Sequence, residues 1–451
     1  MNFFDGWAPR RPCWEGRLVH SGELLRLECR SVTVGMVSKA KTIRPKIVAL
    51  AVAVALPAVW MTAGAAPTGA AAAVPCGNVV TGFNLQSTTG FASNGKLKQY
   101  RVTVDFPGTT GFRDQTATAL LGVYPAGSRP AMINPAVGDR ATVGALKNQR
   151  SSALAAINGD FFTYQTIRGK AVEFSRGPMI RDGVILRSDK QPDKVVGVDS
   201  TGQPFDGTVG ARGTASIVDG PKAPLAAVNW HTVQTGGFTL YTDQWSRSTA
   251  SPRPAGIGEW VLNGNNKIVE VRTSAINSAK RGAIVASNTK VLAFPAALES
   301  TAAAGVAGQK VRLRVSQNTD SGVTLTTAVG RGATLVKRGV AAPAGCDAYE
   351  HSASARPRTV IGWTKAGAWR SITVPGTRID GTSRTGGLGL ANIGAVAKKM
   401  GLRFAYELDG GASVTLHTRS SSNVWSRRDL VGVSGGTYER PVGNGLAFLA
   451  P

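Results

Sequence analysis

The sequence contains few cysteines, few histidines and no apolar segment long enough to span a membrane. Its four cysteines have no zinc-binding spacing and its four histidines are scattered, so a Cys or His metal site is not expected. The main apolar segment, residues 47–61, falls short of the roughly 20 residues needed to cross a bilayer. No repeat of fixed period is present, which excludes solenoid architectures.

Residues 36–73 have the three parts of a secretory signal. A basic stretch from Lys39 to Lys46 precedes the apolar residues 47–61, and small residues continue to Ala73. We expect cleavage after Ala73, because the apolar segment is too short for a retained membrane anchor. The mature protein is therefore predicted to be secreted, extracellular or associated with the cell wall, with no stable membrane anchor.

Residues 1–35 precede this signal, although signals normally begin at the initiator methionine. Met36 lies three residues before the basic stretch, which is a suitable place for a start. We interpret residues 1–35 as an upstream extension from a misplaced start. No linker of distinct composition divides residues 74–451, which favours one domain.

Acidic residues are scarce relative to basic ones. The whole chain has 52 Lys and Arg against 27 Asp and Glu, and loss of residues 1–73 leaves a net charge of +20. Such a charge favours anionic partners, which outside the cell are phosphate-bearing wall or capsule glycans rather than nucleic acid. Solubility with weak adhesion to any polyanion is the alternative.

Two cysteines, Cys76 and Cys346, remain in the predicted mature chain. In an oxidising compartment two cysteines most simply pair. The resulting disulfide would join the mature N-terminus to the segment that precedes Arg358.

The residue pattern predicts an α+β domain, a strand-rich mixed sheet with a few helices. Glycines and prolines are numerous and spread without a period, as expected of many turns between short strands. One convincing helix is predicted over residues 388–400, ended by Gly401, and a second, shorter one over residues 143–152. Clear strands are predicted within residues 100–105, 153–157, 178–186, 239–241, 259–271 and 311–315.

Residues 404–413 combine a strand pattern with two carboxylates and a glycine turn. Apolar residues at alternate positions predict a half-buried strand that places Glu407 and Asp409 on one face. Gly410 and Gly411 then break the strand. Two carboxylates at an open turn form a candidate reaction centre, and solvated acids on an edge strand are the alternative.

Three further short sequences combine a strand end, a glycine and a polar group. With residues 404–413, and taken in chain order, they resemble the phosphodiester glycosidase family, which includes an enzyme that removes N-acetylglucosamine from a phosphodiester. The resemblance covers residues 150–450, although residues 169–343 contribute little to it. The three sequences are Asn158-Gly159-Asp160-Phe161-Phe162, Arg356-Pro357-Arg358-Thr359-Val360-Ile361-Gly362-Trp363 and Arg440-Pro441-Val442-Gly443-Asn444-Gly445-Leu446.

The resemblance implies a hydrolase that removes a sugar, of the N-acetylhexosamine type, from a sugar 1-phosphodiester in a cell-wall, capsule or exopolysaccharide polymer. An anionic phosphodiester needs cations and N–H donors more than a general acid, and carboxylates then serve the sugar carbon. The catalytic candidates are Asp409, Glu407, Asp160, Asn158 and Arg358, the last as a planar fork for phosphate. The substrate-binding candidates are Gly410 and Gly411, as amide donors in a nest, and Ser413, Arg378, Thr385, Arg440 and Asn444.

The chain departs from the family pattern at three places. Glu407 stands where the family usually has Asn, and Ala412 replaces the third glycine of the turn. The loop before the late helix also differs, so the choice among Arg378, Ser383 and Thr385 stays open. These departures affect the identity of the sugar more than the class of reaction.

Two other functions and the presence of a metal stay open. One is a glycosidase acting on phosphate-free exopolysaccharide, and the other is a non-catalytic basic module that binds the wall. The sequence names no certain cofactor. Asp409 and Asp160 are the residues that would hold Ca²⁺ or Mg²⁺ with backbone oxygens, and no loop has EF-hand spacing.

Overall fold

A computed structural model describes residues 83–87, 97–106, 115–246, 253–341 and 354–451. Every described residue belongs to one compact unit, Ala70–Pro451. The predicted extension, the predicted signal, Cys76 and Cys346 lie outside the described residues, so the proposed disulfide stays a prediction. No helix in these ranges is long and apolar enough to cross a membrane.

Strands dominate the described residues. The first fifteen are β1 Phe83–Ser87, β2 Lys98–Phe106, β3 Gln115–Val123, β4 Arg129–Ile133, β5 Ala153–Asn158, β6 Phe162–Ile167, β7 Lys170–Ser175, β8 Met179–Arg181, β9 Val184–Asp189, β10 Asp193–Asp199, β11 Pro204–Ile217, β12 Lys222–Val228, β13 Phe238–Thr242, β14 Gly258–Leu262 and β15 Ile268–Arg272. The others are β16 Lys290–Phe294, β17 Val311–Thr319, β18 Leu325–Gly330, β19 Thr334–Lys337, β20 Val340–Ala341, β21 Arg358–Trp363, β22 Trp369–Val374, β23 Arg378–Asp380, β24 Ser383–Thr385, β25 Phe404–Leu408, β26 Leu416–Arg419, β27 Trp425–Arg427, β28 Ser434–Gly435 and β29 Gly445–Leu449.

These strands form five sheets whose neighbours are mostly antiparallel. The largest has the order β15-β14-β16-β13-β12-β9-β8-β18-β10-β11-β17, and an eight-stranded sheet has the order β1-β2-β3-β22-β21-β25-β19-β20. A five-stranded sheet, β27-β26-β5-β29-β4, lies next in size. The two small sheets are β24-β23-β28 and the hairpin β6-β7. The predicted strand-rich architecture is confirmed.

Helices are fewer than an α+β fold usually contains. Within the described ranges the α-helices are α1 Val143–Leu146, α2 Glu299–Ala303 and α3 Leu390–Lys399. The predicted late helix is α3, and Gly401 follows it with a φ of +77° that suits glycine. The helix predicted over residues 143–152 is shorter, since Lys147–Gln149 form a 3₁₀ turn and Arg150 is already extended.

Strand β25 is buried on both faces, which corrects the predicted half-buried strand. It lies between β21 and β19 rather than at a sheet edge. Ala405 packs in the cluster that includes Ile393 of α3, whereas Tyr406 and Leu408 pack with Ile361 in the other core. A sheet covered on both faces needs no polar face, so the alternation of residue types misled the prediction.

Two strand pairs from different sheets bring together the sequence elements that contain Asn158 and Asp409. In the five-stranded sheet β5 pairs with β29, which places Asn158 opposite Gly445. In the eight-stranded sheet β21 pairs with β25, which places Thr359 opposite Leu408. The segments that follow β5 and β25 then meet, because the Asp409 amide donates to the Gly159 carbonyl over 2.9 Å.

Candidate active site

Asn158 ties the two sheets together at the end of β5. Its Oδ1 accepts from the Thr359 hydroxyl at 2.7 Å and from the Thr415 amide at 3.1 Å, and its Nδ2 donates to the Asp409 carbonyl at 2.6 Å. The side chain is fully buried. Asn158 therefore holds the backbone around Asp409 in place. These three hydrogen bonds of its side-chain amide are all made to other parts of the protein.

Asp160 is buried within a second network. Its Oδ2 accepts from the Ser175 hydroxyl at 2.7 Å and from the Gly177 amide at 2.6 Å. Asn444 accepts from the Asp160 amide through Oδ1 and donates to Ser175 through Nδ2. Burial raises the pKa of Asp160 to about 6, and the two hydrogen bonds to Oδ2 oppose that rise.

Asp409 follows β25 and carries the least satisfied carboxylate in this part of the molecule. Its Oδ1 accepts from the Gly410 amide at 2.9 Å, whereas its Oδ2 is buried without a hydrogen-bond partner among the described residues. Burial raises the pKa of Asp409 to about 7, and the charge of nearby Asp160 adds to the rise. Such a group exchanges a proton near neutral pH.

Glu407 and Arg358, two predicted catalytic residues, form a buried ion pair with each other. Arg358 Nη1 lies 2.7 Å from Glu407 Oε1, and both side chains are more than nine-tenths buried. Arg358 Nε also donates to the Leu388 carbonyl. The predicted phosphate fork is thus already occupied by a carboxylate, and Glu407 is not a free acid beside Asp409.

The backbone at Gly410 and Gly411 does not offer the predicted pair of free amides. The Gly410 amide binds the Asp409 side chain, and the Gly411 amide donates to the Pro357 carbonyl at 2.9 Å. Gly411 instead supplies a φ of +59°, which a residue with a Cβ rarely adopts. The glycines therefore shape the turn that presents Asp409.

Arg440 is the predicted cation that stays near Asp409 without an ion-pair partner in the described chain. Its Nη2 donates to the Tyr164 hydroxyl at 2.8 Å, and its guanidinium carbon lies 4.4 Å from the centre of the Phe162 ring. Its charge acts on Asp409 and lowers the pKa of that carboxyl, against the larger effect of burial. Arg440 is only partly buried, so a ligand can reach it.

The remaining predicted residues differ in their positions. Ser413 is fully buried, and its hydroxyl is the hydrogen-bonding neighbour that lowers the pKa of Asp409 against the larger effect of burial. The hydroxyl lies near the Asp409 carboxylate without reaching hydrogen-bond geometry, so it and Asp409 Oδ2 are both without such a bond among the described residues. Arg378 and Thr385 lie opposite each other on the exposed hairpin β23-β24, where Arg378 Nη2 is 3.8 Å from Asp380. Their role in substrate binding stays a prediction.

Sequence reasoning missed the groups that enclose Asp160. Ser175 and Gly177 follow from no motif, and Gly330 comes from the middle of the chain. A Cβ on Gly330 would lie 2.5 Å from Asp160 Oδ2, so glycine is required there. Gly159 shows the same constraint, because a Cβ would lie 2.0 Å from Asn444 Oδ1. The Asn158-Gly159-Asp160 sequence drew attention to Gly159, whereas no sequence motif pointed to Gly330.

A cavity of about 300 Å³ opens beside Asp160. Arg176, Lys194 and Arg331 contribute cations to its lining, and Asp193 contributes an acid. Arg331 is neutralised by Asp206 at 2.6 Å. No three His, Cys, Asp or Glu side chains in the described part of the chain are grouped so that they could hold a metal ion.

Residues 258–449 match the family model described as phosphodiester glycosidase. The matched segment contains three of the four sequence elements, and the Asn158 element precedes it. No curated protein matches the chain significantly.

Solved structures share the fold at low sequence identity. A protein of Burkholderia pseudomallei K96243, named as a presumed exported protein, is 18% identical with a TM-score of 0.55, over 74% of each chain. A hypothetical protein from Synechocystis is 14% identical with a TM-score of 0.56, over 82% of this chain and 69% of its own.

The catalytic domain of zebrafish N-acetylglucosamine-1-phosphodiester alpha-N-acetylglucosaminidase, auto-inhibited by its pro-peptide, aligns over 82% of this chain and 89% of its own, at 12% identity and a TM-score of 0.42. The first two likenesses show a common fold. The family match is independent of them, and it confirms over residues 258–449 the resemblance to the phosphodiester glycosidase family that the sequence elements indicated.

Proposed function

We propose that this protein is a secreted hydrolase that releases a sugar, of the N-acetylhexosamine type, from a sugar 1-phosphodiester in a wall, capsule or exopolysaccharide polymer. The observation that carries the proposal is the buried Asp409 Oδ2, which makes no hydrogen bond of normal geometry within the described residues, the neighbouring Ser413 hydroxyl included. Leaving a carboxylate oxygen unsatisfied costs free energy that a substrate or water can recover. The family match supports the reaction class.

In the proposed reaction the bond between the anomeric carbon and the phosphate oxygen breaks, and water supplies the new hydroxyl of the sugar. The phosphate leaves as a phosphomonoester and needs no proton from a strong general acid. Asp409 acts at the anomeric carbon, either by accepting the proton of the attacking water or by bonding to that carbon first. The two routes give opposite anomers of the released sugar.

Arg440 takes the role that the sequence gave to Arg358. Its guanidinium is close enough to influence Asp409 electrostatically, yet its hydrogen bond to Tyr164 leaves other N–H groups of the fork for a phosphate. The Arg358 guanidinium already forms an ion pair with Glu407. Burial raises the pKa of Asp409, and the charge of Asp160 beside this centre adds to that rise.

The test compares two substrates under the same conditions. The mature protein is incubated with a methyl diester of N-acetylglucosamine 1-phosphate and with an aryl N-acetylglucosaminide, and free sugar is measured. We expect release from the phosphodiester. Release from the aryl glycoside alone would replace this proposal by a glycosidase for phosphate-free polymers. Release from neither, with retention on isolated cell walls, would indicate a binding module.

A further inference from the structure

A second cavity, of about 420 Å³, borders the Asp160 cavity. The two share Arg176 and Asp193 in their linings. The second cavity lies against the β6-β7 hairpin through Gln165, and against the segment after β12 through Trp230 and His231. A volume of this size lies within the range of small-ligand pockets. All of the residues that line the second cavity precede residue 258, so the family match does not include them.

Arg187 is the unusual group in this cavity lining. It is fully buried, with its guanidinium carbon 4.0 Å from the Trp230 ring centre and 4.5 Å from that of Phe174. Nη1 donates to the Asn229 carbonyl at 3.1 Å, and Nη2 lies 3.4 Å from His231 Nδ1. Nε is buried and has no hydrogen-bond partner among the residues that the structure describes. A buried N–H donor without an acceptor is a group that an oxygen atom would satisfy.

The charges around the cavity favour a neutral ligand. Arg176 and Arg187 are balanced by Asp189 and Asp193 in the lining. A phosphate bound there would face two carboxylates, whereas sugar hydroxyls donate to carboxylates and accept from guanidinium groups. Gln191 adds an amide that can do both. The partly exposed Trp230 ring offers an apolar surface of the kind that the C–H face of a sugar ring covers.

We propose that this cavity binds a neutral sugar unit next to the unit that is released, so that the protein prefers oligomeric or polymeric substrates to short phosphodiesters. The placement beside the released unit rests on the proposed function. Occupation of the cavity by a sugar does not, because it needs no bond cleavage. Arg176 and Asp193 line both cavities, which places the two cavities side by side.

The first experiment measures binding without turnover. The mature chain carrying Asp409→Asn is titrated by calorimetry with the tetramer of N-acetylglucosamine, and with maltotetraose as a second neutral glycan. We expect at least one tetramer to bind. Adding Gln165→Ala should weaken that binding about threefold to tenfold, as loss of one hydrogen bond predicts. Gln203→Ala, which removes an exposed glutamine elsewhere on the surface, should leave binding unchanged.

Trp230→Ala provides the larger test, with circular dichroism and thermal melting as checks, because Trp230 also packs over Arg187. Gln165 is exposed, so its variant remains informative if Trp230→Ala fails to fold. Failure of both tetramers to bind the Asp409→Asn chain would overturn the inference. Equal affinity before and after Gln165→Ala would do the same.

Kinetics separate this inference from the proposed function. With active protein, Gln165→Ala should raise KM for an oligosaccharide 1-phosphodiester and leave kcat, and both constants for the methyl diester, unchanged. If no phosphodiester is cleaved but the tetramer binds in a Gln165-dependent way, the proposed reaction is wrong and the sugar site stands. If the methyl diester is cleaved and KM does not respond to chain length or to Gln165→Ala, the sugar site is wrong and the reaction stands.

Discussion

Glu407 and Asp409 are two residues apart at the end of the same strand, and the fold gives their carboxylates different surroundings. Glu407 lies within β25, where antiparallel pairing with β21 brings Arg358 to 2.7 Å. Asp409 lies one residue beyond the strand, where one oxygen binds the next amide and the other has no partner in the described chain. Arg358 on the neighbouring strand neutralises the Glu407 carboxylate, whereas the Asp409 carboxylate remains available to react.

The difference shows what a buried acid needs in order to react. Burial raises the pKa of a carboxyl group towards neutral pH, and an ion-pair partner opposes that rise. The pKa of about 7 for Asp409 is the consequence. Burial also raises the pKa of Glu407, but there the Arg358 guanidinium opposes the rise.

The largest expected effect is on Asp409. Asp409→Asn should lower sugar release from the phosphodiester by about 10²–10⁴-fold, because it removes the group that acts at the anomeric carbon. The rate is measured from single-turnover assays, with circular dichroism to establish that the variant is folded. Activity within threefold of the wild type, a threshold chosen as roughly the scatter of such assays, would assign the reaction elsewhere.

Glu407→Gln should act on stability instead. It leaves the buried Arg358 charge without its partner, which costs about 3–5 kcal/mol in the free energy of unfolding. Urea denaturation measures this loss, and the fraction that remains folded should keep the catalytic constant of the wild type. Asp380→Asn is the matched control, since it removes an exposed partner of Arg378 and should cost at most about 1 kcal/mol.

The pH dependence of stability should reveal the raised pKa of Asp409. The folded pKa of Asp409 lies above its ordinary value near 4, so the folded protein holds the proton more tightly than the unfolded chain does. The free energy of unfolding therefore falls as pH rises from about 4 to about 7. Asp409→Asn removes this decline, so the variant should gain stability relative to the wild type at pH 8 compared with pH 4. An identical pH profile for both proteins would contradict the raised pKa.

Arg440→Gln should weaken catalysis by about tenfold to a hundredfold in kcat/KM for the phosphodiester, the effect of one lost charge-assisted hydrogen bond. An aryl glycoside, which lacks the phosphate, should be affected much less. Arg314→Gln is the control, because it removes an exposed arginine on β17. Equal losses on both substrates would show that Arg440 supports the site and does not bind phosphate.

The smallest expected effect is a shift along the pH axis. For Asp409 acting as a base, kcat/KM should rise about tenfold per pH unit below pH 7 and then level off. Asp160→Asn removes a charge that raises the pKa of Asp409, so the rising limb should move to lower pH. The measurement is the residual activity of the variant between pH 4 and 9. If the rising part of the pH profile does not move, the charge of Asp160 does not influence the pKa of Asp409.

Local patterns predicted many of the elements around the site. Residues 178–186 contain a turn with Asp182 and Gly183 at positive φ between β8 and β9, and α3 ends before Gly401, as their sequences indicated. The elements containing Asn158, Thr359, Asp409 and Asn444 also meet, in keeping with their common resemblance to one family. Glycine and strand-end signals are local, which is why the sequence alone could supply them.

The partners of the side chains could not be predicted in the same way. Arg358 and Glu407 meet only because β21 pairs with β25 in one particular register, and a shift of one residue would part them. Ser175 and Gly177 reach Asp160 from one segment and Gly330 from another, with no shared motif. Arg187 and Trp230 belong to the middle of the chain, where the family pattern was weakest, and only packing brings them together.

The most direct test sets Asp409→Asn beside Glu407→Gln on one phosphodiester of N-acetylglucosamine, with kcat measured per folded molecule. We expect Asp409→Asn to lose sugar release while remaining folded, and Glu407→Gln to keep the wild-type kcat despite a lower free energy of unfolding. The reverse outcome, an inactive Glu407→Gln protein and an active Asp409→Asn protein, would contradict this expectation.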